Sequence, residues 1–341
     1  MCHARSPDAV PAGPTPRAVF LYGWRDVTRM TGDDLELGIH PSVDIVFPPS
    51  LLREELTDLA ADVRILSDGS ALAGLDGVVT FSFEEAFLSA DLEWIHCILA
   101  GVDAFPFEAL KRRGITLSNS SGVHGDAIGD TVLGYMLQFA RRLHIYRDNE
   151  PTREWYYPDW DETFTLPGET VCVVGLGTLG QGVTARADAV GMNVRGVRRT
   201  PTPVPSVDAV FTPDSLTAAI SDARFVALTV PLTSQTEGLI GSDELDAMRE
   251  DAYLLNVARG GVVDQDALVA ALTDGRIAGA ALDVFETEPL PDDSPLWDLE
   301  NVIVTPHAAG ATDEYAERVA AIVAENVRRI RRGESLANHV V

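Results

Sequence analysis

Short apolar, β-branched runs alternate with amphipathic stretches along most of the chain. Residues 18–22, 44–47, 63–66, 77–80, 94–99 and 116–118 read as buried strands, and helical patterns lie between several of them, as at 50–62 and 105–113. This alternation predicts a parallel sheet covered by helices. A longer helical pattern runs over 126–147. The alternation then resumes with strands at 193–197, 207–210, 225–230, 253–256, 278–283 and 302–304, which make a second, Rossmann-type sheet. A last amphipathic helix over 313–332 stops at Gly333, the residue type best suited to the left-handed position after a helix. Following a completed nucleotide sheet, this helix is expected to cross back to the first unit, so that it and the 126–147 helix form the two connections. Residues 159–167 read as loop.

The second unit opens on Val171-Cys-Val-Val-Gly175-Leu-Gly177-Thr178-Leu179-Gly180, an apolar strand running into glycines spaced G-x-G-x-x-G. A helix-compatible stretch, 181–190, follows. That strand–turn–helix context is what a dinucleotide-binding loop requires. Gly175 permits the tight turn, Gly177 lets backbone approach a pyrophosphate, and Gly180 allows close helix–strand packing. The helix N-terminus offers free N–H groups and the positive end of its dipole. An acidic residue at the end of the next strand would accept from the ribose 2′-OH of NAD. Here that strand ends in Arg198-Arg199-Thr200. Two guanidiniums and a hydroxyl suit a 2′-phosphate, so NADP(H) is preferred and NAD(H) remains possible. The alternative is that both arginines are solvated loop residues.

Length and charge bound the remaining possibilities. A chain of 341 residues predicts about two domains. The expected division is a tail over 1–17, a substrate-binding unit from 18–123 and 311–341, and a dinucleotide-binding unit over 124–310. No apolar run reaches the ~18 residues that a membrane span needs, and the Pro/Ala-rich tail lacks a signal core. Cys2, Cys97 and Cys172 have no paired spacing, so buried reduced thiols are expected and neither a disulfide framework nor a metal site is. The formal net charge is −26, and Lys111 is the only lysine. Such a field repels nucleic acid and anionic membranes. Dispersed carboxylates with almost no lysine fit a halophilic cytoplasm, where salt screens the self-repulsion. The alternative is an ordinary acidic protein with arginine-biased codons.

Three later segments place polar groups just past the ends of apolar strands. They are Leu254-Leu-Asn-Val-Ala-Arg259-Gly-Gly, Ala280-Ala-Leu-Asp283-Val-Phe-Glu-Thr-Glu288-Pro-Leu-Pro and Val302-Ile-Val-Thr-Pro-His307-Ala-Ala-Gly310. In open α/β sheets that edge binds ligands. A histidine beside a carboxylate is an acid–base unit for carbonyl reduction, because the carboxylate favours an imidazolium able to protonate a developing alkoxide. A nearby arginine polarises the ketone and can grip a neighbouring carboxylate.

Taken together, these motifs resemble those of the D-isomer-specific 2-hydroxyacid dehydrogenases, in the branch of glyoxylate/hydroxypyruvate and 2-ketoacid reductases. The resemblance runs from about Ala18 to the C-terminus. It implies two Rossmann-like domains, the first flavodoxin-like, with the active site in the cleft between them. Catalysis would fall to Arg259, Glu288 and His307, with Glu288 preferred over Glu286 because it directly precedes Pro-Leu-Pro. Cofactor contacts would come from Gly175, Gly177, Thr178, Leu179, Gly180, Arg198, Arg199, Thr200, Val230, Pro231, Ala258, Asp283 and Gly310, with Asp283 binding the carboxamide. Leu99, Ala100, Gly101 and Val102, with Arg259, would hold the substrate carboxylate. The implied reaction is NADP(H)-dependent reduction of a small 2-oxoacid to the D-2-hydroxyacid by a cytoplasmic homodimer. A dinucleotide-sensing regulator on the same fold is the competing reading. One departure is evident: the connecting helix carries Asp130 and Thr131 where the family usually has glutamate and histidine. His124 is open between facing the cleft and not. Trp155, Trp160 and Trp297 read as packing or dimer-interface residues.

Overall fold

The structure, a computed structural model, describes residues 35–341. The anticipated tail and the strand at 18–22 lie outside the described residues. Five parallel strands, β1 (Glu36–Ile39), β2 (Asp62–Ile65), β3 (Gly77–Thr80), β4 (Trp94–Cys97) and β5 (Thr116–Asn119), form one sheet in the order β2-β1-β3-β4-β5. That is the flavodoxin-like order. Seven more, β6 (Thr170–Val174), β7 (Asn193–Val197), β8 (Ala209–Phe211), β9 (Phe225–Leu228), β10 (Tyr253–Asn256), β11 (Gly279–Leu282) and β12 (Val302–Val304), form the second sheet. Its order is β12-β11-β10-β9-β6-β7-β8, the doubly wound dinucleotide arrangement with one extra edge strand. The helices are α1 (Pro49–Glu55), α2 (Ala86–Ser89), α3 (Phe107–Arg113), α4 (Gly125–Ala140), α5 (Leu143–Asn149), α6 (Thr178–Ala189), α7 (Leu216–Ile220), α8 (Ser242–Ala247), α9 (Gln265–Thr273) and α10 (Tyr315–Arg331).

One expectation is corrected in the first sheet. Residues 44–47 are not a strand: Pro41–Ile45 is a 3-10 turn, whose start is set by Pro41 and capped where the His40 side chain accepts from the Ser42 N–H. Proline's fixed φ suits the first helical position and cannot serve a central strand. Ile45 consequently points outward, 69% exposed. The strand sits instead at Glu36–Ile39. Its Gly38 is dictated by packing, because a Cβ there would come within 2.6 Å of Leu75 Cδ1.

The 126–147 helix is also two helices. α4 ends at Ala140, and Arg142 takes a left-handed φ of 54° before α5 begins. α4 lies against α6 almost backbone to backbone, since a Cβ on Gly129 would sit 2.5 Å from the Gly182 carbonyl oxygen. Arg186 of α6 then bridges Asp126 at 2.8 Å and Asp130 at 2.9 Å, both on α4. This accounts for the carboxylate at position 130.

α10 does return to the first sheet. Val319, Val323, Val327 and Ile330 are buried with Leu37 and Ile39 of β1 and Leu52 of α1. Each such side chain contributes about 1.5–3 kcal/mol. Tyr315 Oη donates to the Ile98 carbonyl at 2.7 Å, and buried Asn326 accepts from the Ala337 N–H at 2.7 Å. The chain then runs antiparallel to β5: Leu117 N–H donates to Val341 O at 2.7 Å, and Val340 N–H to Leu117 O at 2.8 Å. Cys97 and Cys172 are buried free thiols, with burial pushing them up to about 11 and about 12.

Between β4 and β5 the core encloses His96, hydrogen-bonded to Ser118 Oγ at 2.9 Å and Ser120 Oγ at 3.0 Å. Burial drives its pKa down to about 3. Below pH ~6.5 the unfolded chain takes up a proton that the folded chain refuses. Stability is therefore lost as pH falls from about 6.5 towards 3, at up to about 1.4 kcal/mol per pH unit from this residue. In denaturant titrations from pH 7 to 4, His96→Gln is expected to show a shallower fall than the parent. An equal slope would remove His96 as the cause.

Candidate active site

The site is assembled from strand ends. Beyond β6, Gly175 adopts φ 101°, and a Cβ there would meet Val230 Cγ1 at 2.8 Å. Thr229, at the end of β9, donates from Oγ1 to the Gly175 carbonyl at 2.6 Å and fixes the turn. A Cβ on Gly180 would collide with the Gly175 carbonyl oxygen, whereas one on Gly177 would meet nothing. Two of the glycines are thus needed for packing, and Gly177 opens the space where a pyrophosphate would approach. Gly177 is the N-cap of α6, where no side chain caps the helix. The first-turn N–H groups of Thr178, Leu179 and Gly180 have no partner within the helix. Arg198 and Arg199, at the end of β7, meet no carboxylate among the described residues. Arg186, Arg195, Arg224, Arg249 and Arg276 each do. Those two positive charges are left available in an acidic chain.

At the end of β10, Asn256 is buried and works in both directions. Its Oδ1 accepts from Ala258 N–H at 3.0 Å, and its Nδ2 donates to Arg259 O at 3.1 Å. This closes the turn that carries Arg259, whose Nη1 donates to the Ala258 carbonyl at 2.7 Å. Gly101 lies directly against Arg259 Nη2, so closely that any side chain would displace the guanidinium. Asp103 stands beside it, with Oδ2 4.0 Å from Nε. The first sheet's loop at 99–102 therefore meets the second sheet's arginine as expected. Asn119 Nδ2 holds that loop by donating to Ala100 O at 2.6 Å.

Asp283, at the end of β11, is 2% exposed. Its carboxylate accepts from Thr305 Oγ1 at 2.6 Å, Ala308 N–H at 2.9 Å and Ala309 N–H at 2.9 Å. Its own carbonyl accepts from His307 N–H at 2.8 Å. These four bonds fold the loop after β12 so that His307 takes a left-handed φ of 52°. Thr305 Oγ1 also meets Tyr135 Oη at 2.5 Å, and burial pushes this phenol up to about 12. Thr131 Oγ1 donates to Ala309 O at 3.0 Å, which gives the threonine on α4 a task in the same loop.

His307 Nδ1 lies 2.8 Å from Glu288 Oε2, and Glu288 Oε1 accepts from Phe285 N–H at 3.0 Å. Glu286 is engaged elsewhere, accepting from Gln265 N–H at 3.3 Å. With Nδ1 turned to a carboxylate, Nε2 is the ring nitrogen left for another partner. Arg259, Glu288 and His307 line one cleft of about 650 Å³ with Leu232, Glu237, Gly238, Asp264, Phe285 and Glu286. His124 instead packs edge-on against Tyr315, ring centroids 4.7 Å apart, with Nδ1 3.2 Å from Gly310 O. Burial lowers its pKa. It joins the two units at their connection. Trp155 and Trp160 are almost fully exposed, while Trp297 Nε1 donates to Pro291 O at 2.9 Å. Tyr135, Thr305 and Asn119 escaped the sequence reading, because nothing local marks a hydroxyl or amide as the partner of a loop far away.

The sequence profile described as "D-isomer specific 2-hydroxyacid dehydrogenase, NAD binding domain" matches residues 133–309. The chain belongs to that family. It is accordingly an oxidoreductase with a nicotinamide dinucleotide site. Among its relatives, glyoxylate/hydroxypyruvate reductase B of Yersinia pestis (strain Pestoides F) is 36% identical over 265 residues, covering 77% of this chain and 81% of the relative. D-3-phosphoglycerate dehydrogenase of Methanocaldococcus jannaschii is 38% identical over 246 residues, 71% of this chain, which spans only 46% of that protein. A solved D-isomer specific 2-hydroxyacid dehydrogenase from Xanthobacter autotrophicus Py2, in complex with NADPH and MES, superposes with a TM-score of 0.76 at 31% identity over 90% of this chain and 98% of that one.

Replacing Asp283 by Asn turns an acceptor into a donor that faces a backbone N–H of the His307 loop. The expected cost is about 1–3 kcal/mol, seen as a lower thermal midpoint together with weakened activity. Unchanged stability would show that the three bonds to the carboxylate are dispensable.

Proposed function

We propose that this chain reduces small 2-oxoacids to D-2-hydroxyacids, and catalyses the reverse oxidation, with NADP(H) preferred over NAD(H). The observation that carries the reading is the Glu288–His307 pair at 2.8 Å in the same cleft as Arg259, whose guanidinium is met by Gly101 from the other sheet. In this reading 124–310 is the dinucleotide unit, and 18–123, described from 35 onward, forms the substrate unit with 311–341, the cleft lying between them.

In this reading the guanidinium of Arg259 holds the substrate carboxylate and polarises the adjacent carbonyl, aided by backbone N–H groups of Leu99, Ala100, Gly101 and Val102. His307, oriented by Glu288, donates the Nε2 proton to the carbonyl oxygen as charge develops there, and takes it back in the oxidation direction. The dinucleotide supplies or accepts the hydride when bound. Gly175, Gly177, Gly180 and the N–H groups of Thr178 and Leu179 receive its pyrophosphate, supported by the uncapped start of α6. Val230, Pro231, Ala258, Asp283 and Gly310 line the remainder. Asp283 does so with a carboxylate whose principal acceptor positions already hold the His307 loop. Arg198, Arg199 and Thr200 favour a 2′-phosphate, and the missing ion-pair partners of both arginines support this.

Trp155 at 97%, Tyr157 at 85% and Trp160 at 91% exposure make an aromatic surface beside a groove of about 770 Å³, which we assign to a homodimer interface. No helix among the described residues is long and apolar enough to cross a membrane. With the −26 charge and single lysine, this supports a halophilic cytoplasmic enzyme.

NADPH oxidation followed with a panel of 2-oxoacids tests the reaction; no turnover above background would end it. Glu288→Gln and His307→Asn are expected to lower kcat by about 10²–10⁴-fold. Replacing Arg198 and Arg199 by Ala should cut the NADPH-to-NADH ratio of kcat/KM by roughly ten- to a hundredfold. An unchanged ratio would refute the NADP preference.

A further inference from the structure

The cleft holds more negative charge than the chemistry uses. Besides Glu288, it is lined by Glu237, Asp264 and Glu286, and among the described residues Arg259 is the only permanent cation on its walls. Asp103 adds a further carboxylate beside the same guanidinium. Two of these groups have local tasks that leave their charge in place. Asp264 caps α9 by accepting from Ala267 N–H at 3.0 Å, and Glu286 accepts from Gln265 N–H at 3.3 Å. Glu237 has no side-chain partner among the described residues. Phe285 and Leu232 supply apolar wall between the carboxylates.

A 2-oxoacid brings one carboxylate, and Arg259 can match one. Once that pairing is made, the described remainder of the cleft offers a second anion no permanent cation. From this we infer that at low ionic strength the enzyme takes 2-oxoacids whose only anionic group is the carboxylate beside the ketone, and that Glu237 and Glu286 there reject those with a second carboxylate or a phosphate on the tail. Like-charge juxtaposition is a strong source of specificity, and it weakens with salt. The inference rests on the 2-oxoacid reading above and adds a charge rule to it.

The test separates the two. Glyoxylate, which has no tail, reports the reaction. 2-Oxopentanoate and 2-oxoglutarate, equal in chain length and differing in a terminal methyl or carboxylate, are measured as competitors of glyoxylate reduction in low salt. The inhibition constant of 2-oxoglutarate is expected to exceed that of 2-oxopentanoate by about a hundredfold or more. In the Glu237→Gln/Glu286→Gln variant the ratio should shrink by about tenfold, and 2 M KCl should narrow it in the parent enzyme. Glutamine at 286 keeps the oxygen that Gln265 uses, and retained glyoxylate reduction shows that the variant is folded. If glyoxylate and the wider panel are inert, the reaction reading fails. If glyoxylate is reduced but the two competitors bind within about threefold of each other, neither competing included, the charge rule is overturned. It is also overturned if the ratio does not move in the double variant.

Discussion

The carboxylate of Asp283 decides the shape of the catalytic edge. A single buried anion at the end of β11 gathers the Thr305 hydroxyl and two successive backbone N–H groups. An isolated carboxylate at 2% exposure would be costly, and three donors compensate it. The same bonds turn the chain after β12 and hold His307 at a positive φ that a non-glycine residue seldom adopts. Glu288 then finds the imidazole because its own backbone neighbour, Phe285 N–H, anchors the other carboxylate oxygen. Histidine, glutamate and loop form one hydrogen-bonded assembly, and Tyr135 and Thr131 tie it to α4.

Much of this was legible in the sequence wherever function and local rule coincide. The run from Val171 to Gly180 states strand, turn and helix within ten residues, and Gly175 and Gly180 each have a separate steric reason. Arg259, Glu288 and His307 could be found because each follows an apolar strand and because their company is specific. The choice of Glu288 over Glu286 agrees with the observed bond. What escaped depends on contacts between distant segments. β1 carries a glycine that only the position of Leu75 explains, and the break at Arg142 has no glycine or proline to announce it. There Ala140 O accepts from Phe164 N–H at 3.0 Å and Arg142 approaches Glu162 at 3.6 Å, so tertiary partners replace the helix's own. The partners of Asp283 were hidden for the same reason: two are main-chain groups without a side-chain signature.

Electrostatics divides the molecule's arginines into two sets. About half of the described arginines meet a carboxylate, some across elements, as Arg186 does between α6 and α4, and some within one helix, as Arg329 does with Glu325. Each exposed pair is worth little by itself. A guanidinium without a carboxylate is common here, as at Arg64, Arg113 and Arg141, which bond only carbonyls, and it gains meaning only from its place in the fold. Arg198 and Arg199 are such a case, and Arg259, paired only loosely with an exposed Asp103 at 4.0 Å, is nearly one. What sets these three apart is their place just beyond the ends of β7 and β10.

The antiparallel stitching of residues 338–341 onto β5 has a bearing on how the chain is made. The five-stranded sheet precedes the seven-stranded one in the chain, yet the face that α1 covers in part is completed only by α10, and its β5 edge is paired only by residues 338–341. The seven-stranded unit lies wholly between those two parts and is continuous in sequence. It can therefore close its own core while the earlier sheet still waits for its cover. Topology thus leaves the unit that carries the glycine loop free to close before the earlier sheet has all its partners.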